Sequence, residues 1–140
     1  MGNKNYRSAF AITIFAIWAI SFLLATVTPK FFNLNWIVLV ISGIYLLAGW
    51  YFFKGYFPGG SGFILFIFGY IYSSIITASV FVSFEWPFAN SLVILTPFWL
   101  VLLLILLIVF WKKIPKEGLL KFLVESFLLL ILVIFLITQI

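Results

Sequence analysis

The stretch SLVILTPFWLVLLLILLIVFW, residues 91–111, runs for 21 positions without a charged side chain. About 20 helical residues cross the hydrocarbon core of a bilayer. In lipid, a helix satisfies the backbone of such a run by itself. The run stops abruptly at KKIPKEG, residues 112–118, where three lysines, a proline and a glycine follow one another. Outward from it lie four further apolar runs, at 9–28, 36–53, 63–84 and 119–140, and only the last carries charge, at Lys121 and Glu125. Continuous runs are not the alternating pattern of a β-barrel. The expected fold class is all-α: a multi-pass bundle of five transmembrane helices, forming one domain over residues 1–140.

Composition agrees. Of 140 residues, 66% are hydrophobic and 8% charged, where a soluble domain has roughly a quarter charged. A soluble globule of this size cannot hide that much apolar surface, and a disordered chain does not carry it. Cys, His and Asp are absent, and the one Met is Met1. Disulfides, thiol chemistry and His- or Cys-ligated metals are excluded, as are Ser-His-Asp and Cys-His catalytic sets. No cofactor is expected and no enzymatic activity. The side-chain carboxylates are Glu85, Glu117 and Glu125 alone.

The linking segments, 29–35, 54–62, 85–90 and 112–118, are short, which makes successive helices antiparallel neighbours. The first run follows Lys4 and Arg7, as a signal peptide would. It is longer than a typical signal core and Ala25-Thr26-Val27 is a poor cleavage site, so it reads as a retained helix. Lys4, Arg7, Lys54, Lys112, Lys113, Lys116 and Lys121 fall on one side of the membrane and Lys30 on the other. That bias predicts a cytoplasmic N-terminus and a C-terminus at the opposite surface. Trp36 and Trp86 are the expected outer anchors; Trp50, Tyr51, Tyr56 and Trp111 are the inner ones. The charges then set orientation rather than a nucleic-acid surface. A bacterial inner membrane is the expected location in preference to an organelle.

Glu125 is the most informative residue. It stands ten positions beyond Pro115, about 15 Å along a helix, just beneath the inner boundary. A carboxylate at that depth is costly and is by default a functional candidate. Glu117, Lys121 and Glu125, at i, i+4 and i+8, share a helix face and also read as a charge-neutralising ladder. In the third run Gly69, Ser73 and Thr77 recur every four residues, as do Tyr70, Ser74 and Ala78. Small residues at this spacing let helix backbones approach; the alternative is a polar pathway along Tyr70, Tyr72, Ser73, Ser74 and Thr77. Ser42, Gly43, Ala48 and Gly49 make a similar small patch in the second run. The segment Gly55 to Gly62 lacks the Gly-Lys-Ser/Thr ending of a phosphate loop and reads as a turn. Pro97 is expected to kink its helix or free a carbonyl that Thr96 helps to satisfy.

Phe84-Glu85-Trp86-Pro87-Phe88-Ala89-Asn90 resembles the Trp-Pro-x-Ala turn between the two membrane helices of the small stator subunits of gliding-motility and type 9 secretion motors. The resemblance covers residues 63–111 and implies proton-driven motor work through a carboxylate in the helix after the turn. Residues 91–111 contain no ionisable side chain, so that role does not carry over. The helix count and Pro29…Asn35-Trp36 are similar to the tryptophan-rich five-helix translocator proteins, whose dense Trp/Asn pattern is absent from the later runs. The leading expectation is a non-catalytic membrane subunit or scaffold, with lipid and other membrane subunits or itself as partners. The alternatives are a small oligomeric transporter or channel component using Glu125 and the polar face of the third helix, and a lipid- or quinone-binding protein.

Overall fold

The computed structural model describes residues 2–27 and 35–139, with side chains from 9 to 24 and from 35 to 138. Five helices follow in order: α1 Gly2–Val27, α2 Asn35–Phe53, α3 Gly62–Ser83, α4 Ala89–Val109 and α5 Lys116–Gln139, with no strand among the described residues. Four of them, α2 to α5, are long and apolar enough to cross a membrane. The apolar part of α1, Ala9–Leu24, is shorter than the expected run at 9–28. Its helix instead begins seven residues earlier than the run, within a polar segment. Lys30 lies outside the described residues, as do the side chains of Lys4 and Arg7.

α3 is the centre: it packs against α2, α4 and α5, while α1 lies on α2 and α4 on α5. The closest approach is between α2 and α3. A methyl group added at Gly69 would lie 2.5 Å from the carbonyl oxygen of Tyr45 and 3.1 Å from Cα of Gly49. Further along the same seam, Ser42 donates to the Ser73 carbonyl at 3.1 Å and pairs with the Ser73 hydroxyl at 3.0 Å and with the Thr77 hydroxyl. Without water to hand, hydroxyls on facing helices satisfy one another. Gly43, in the same patch of sequence, faces open space: a methyl there meets nothing within 4 Å.

Isolated polar side chains elsewhere bond to the helix that carries them. Ser74 donates to the Tyr70 carbonyl and Ser79 to that of Ile76. Pro97 lacks the N–H that would bond Val93, and the Thr96 hydroxyl donates to that same carbonyl at 2.7 Å, inside a helix that continues through the proline. At the far end of α3, Glu85 takes a left-handed conformation (φ 54°). Trp86 N–H bonds the Phe81 carbonyl and Glu85 N–H that of Val82, a paired closure of the helix end that ordinarily favours glycine at the left-handed position. Trp86 then stacks on Phe84, with ring centroids 5.0 Å apart. Outward, large apolar side chains stand free, among them Leu47 at 78% and Phe98 and Ile108 at 70% exposure, a surface suited to lipid rather than water.

The seam generates a test with opposite signs at two glycines. Gly69→Ala drives a methyl into backbone and should destabilise the bundle by about 1–3 kcal/mol. Gly43→Ala meets no obstacle and should stabilise it by up to about 1 kcal/mol through helix propensity. Thermal unfolding of the two variants in detergent reads both.

Candidate functional site

Glu125 sits on α5 in the bundle interior, only 5% exposed. One of its oxygens accepts from the Tyr56 hydroxyl at 2.6 Å and the other from the Tyr72 hydroxyl at 2.9 Å. Tyr72 belongs to α3 and Tyr56 to the segment joining α2 and α3, so a single carboxyl group ties three parts of the chain together. Tyr45 of α2 stands beside them, its ring 5.2 Å from that of Tyr72. Its buried hydroxyl has no hydrogen-bond partner among the described residues.

An aromatic sheath surrounds these oxygens. Phe53 meets Tyr72 edge-on at 4.7 Å, and Phe122 meets Tyr56 edge-on at 5.0 Å and stacks on Phe68 at 4.8 Å. Phe15 of α1 closes the side, 6.2 Å from Tyr72. Polar atoms in such surroundings are expensive unless paired, and the two phenols supply that pairing.

Local backbone structure aims Tyr56 inward. Tyr56 and Phe57 N–H groups both bond the Phe53 carbonyl, at 3.0 and 2.8 Å, winding the end of α2 tighter. Both side chains are thereby buried, at 0% and 1% exposure. The expected surface anchor at Tyr56 is therefore corrected, whereas Trp50, Tyr51 and Trp111 are exposed. Gly118, in the first turn of α5, lies directly against the Tyr56 carbonyl, where a methyl group would collide with it. Tyr56 lies outside the helices; burial first, and then the neighbouring carboxyl, push its hydroxyl pKa upward, so it remains a proton donor.

The remaining candidates are distributed otherwise. The Lys121 ammonium lies 5.7 Å from the centre of the Tyr56 ring, a cation–π distance. Among the described residues no ion pair closes within 4.0 Å, so Glu117, Lys121 and Glu125 do not form a salt-bridged ladder. Glu117 is exposed. On α3, Gly69, Ser73 and Thr77 meet α2. Tyr70 is 42% exposed and packs edge-on against Trp99 of α4 at 5.2 Å. Ser74, half-buried, bonds within its own helix. Among the described residues, Gly69, Tyr70, Ser73, Ser74 and Thr77 make no hydrogen bond to Glu125; Tyr72, named only in the alternative pathway, does. The signal for both tyrosines was the carboxyl itself: a group with two acceptor oxygens in an apolar run requires donors nearby.

Comparison with family models, with curated proteins and with solved structures finds no match for this chain.

Double-mutant cycles test the pairing. Tyr56→Phe and Tyr72→Phe should each cost about 1–3 kcal/mol of stability, the range for leaving a buried acceptor unsatisfied. In a Glu125→Leu background each should cost much less. Lys121→Gln should cost under about 1 kcal/mol; a loss as large as that of the tyrosines would instead make the lysine the main partner. Gly118→Ala should cost about 1–3 kcal/mol and should also shrink the measured coupling between Tyr56 and Glu125, because it displaces the backbone that aims the phenol.

Proposed function

We propose that this chain is a non-catalytic integral membrane subunit or scaffold, inserted with its N-terminus in the cytoplasm and lending its helix surfaces to a larger assembly. The observation that carries this reading is the pairing of Glu125. Both its oxygens are engaged by the chain's own tyrosines, so the deepest carboxyl fastens the bundle. Outward-facing α4 supports the same reading: Phe98, Val101, Ile105 and Ile108 form an exposed apolar face without hydroxyl or charge, suited to lateral helix contacts. The seven-to-one division of positive residues supports the orientation.

A transport reading draws on a different observation, the unpartnered Tyr45 hydroxyl beside Tyr72. Such a group offers a further hydrogen-bonding position next to Glu125.

Gentle detergent extraction followed by native electrophoresis separates the two. The subunit reading expects a stable heteromeric complex and no flux when the purified chain is placed in liposomes. A homo-oligomer whose proton or cation flux is abolished by Glu125→Gln, with its fold retained, would overturn it. The chain has no native cysteine, which makes the orientation easy to check. Cysteine at Lys54 or Lys113 should resist an impermeant reagent added outside intact cells, and cysteine at Asn90 should react. The reverse pattern would invert the orientation.

A further inference from the structure

α1 and α5 run side by side without packing closely, and the gap between them is a groove. Its inner section, about 380 Å³, is walled by Ile12 and Ala16 of α1 and by Lys121 and Glu125 of α5. Its outer section, about 330 Å³, continues past Trp18 to Phe135. Ala19 and Leu128 border both sections. From Leu120 to Phe135 the groove follows about 22 Å of the α5 axis, more than the roughly 15 Å depth of one hydrocarbon leaflet. Two features identify what it takes. It is long and lined by apolar side chains apart from Lys121 and Glu125, the shape and chemistry of an extended acyl chain. Its mouth is cationic: Lys121 forms part of the wall, without a carboxylate in ion-pair range among the described residues, and Lys112, Lys113 and Lys116 are exposed at the same end of the bundle.

We infer that this groove is a binding site for an anionic phospholipid of the lysine-side leaflet, with one acyl chain lying between α1 and α5 and the phosphate held at Lys121. The site requires membrane insertion but not the subunit role, so its failure would leave co-purification unchanged. Glu125 contributes its methylene stem to the wall, since both its oxygens are turned to tyrosines. The chain fills the gap that side chains leave open, and the headgroup meets the lysine where α5 enters the membrane.

Native mass spectrometry of the full chain in mild detergent, titrated with phosphatidylglycerol or phosphatidylcholine of identical acyl chains, tests this. The wild type should retain one phosphatidylglycerol molecule, preferred about fivefold over phosphatidylcholine, the worth of one lysine at a membrane surface. Lys121→Gln should abolish the preference while leaving a lipid bound. Ala19→Phe, which blocks the groove where its two sections meet, should weaken both lipids at least tenfold, and Val101→Phe on the far face of α4 should change neither. Ala16→Leu blocks the inner section and serves if Ala19→Phe does not fold; if neither folds, the Lys121→Gln comparison decides. Equal retention of the two lipids by the wild type, or wild-type retention by the blocked variants, would overturn the proposal. A preference that survives Lys121→Gln, or a two-chain mass in place of a bound lipid, would overturn it as well.

Discussion

A carboxyl group enclosed by phenylalanine rings must have hydrogen-bond donors, and in this chain they come from Tyr56 and Tyr72. That demand organises the lysine-rich end of the bundle. It draws the segment after α2 inward rather than leaving it on the surface. It fixes the rotation of α5, since Glu125 must face α3, and it leaves Phe122 stacked against Phe68 and Phe53 one turn away. Gly118 is a corollary: with α5 rotated this way, its first turn runs against the Tyr56 carbonyl, where no side chain fits. The cost of an unpaired buried carboxyl is several times the gain from any single apolar contact, so packing adjusts to the carboxyl rather than the reverse.

Other polar groups are handled with shorter reach. The α2–α3 seam pools three hydroxyls in one cluster around Ser42, and Thr96 spends its hydroxyl on the carbonyl that Pro97 leaves bare. Each device lets apolar surface face outward without an orphaned donor. α3 pays little for its many serines and tyrosines, because it lies in the middle of the bundle and has a neighbour for nearly every face.

The helices were legible because charge-free runs of bilayer length have few other readings, and four of the five meet that length in the structure. The start of α1 was not, since Asn3, Lys4, Asn5 and Arg7 break the apolar pattern while doing nothing to forbid a helix. Glu125 stood out from its surroundings in the sequence. Its partners did not: Tyr56 lies 69 positions away and Tyr72 lies 53, and no local pattern encodes such a pairing. Tyr56 was further disguised by the glycines and proline around it, which mark a surface turn, whereas here the same residues permit a tight fold-back that buries two aromatic rings. The spacing of Gly69, Ser73 and Thr77 placed them on one face, but only the register of α2 against α3 sets Ser42 opposite the latter two and Gly49 opposite the first. Lys121 was a natural partner for Glu125 by helical spacing, and the lysine turns to an aromatic face instead.

The contact between Gly118 and Tyr56, with the pairing of Glu125, ties an early part of the chain to a later one. Synthesis runs from the N-terminus, so α5 is made after α1 to α4. Until it arrives, the phenols of Tyr56 and Tyr72 lack the acceptor that they meet in the bundle. The carboxyl that satisfies both is carried by α5. The docking of α5 on the helices made before it is therefore marked chemically, as one acceptor reaches two donors.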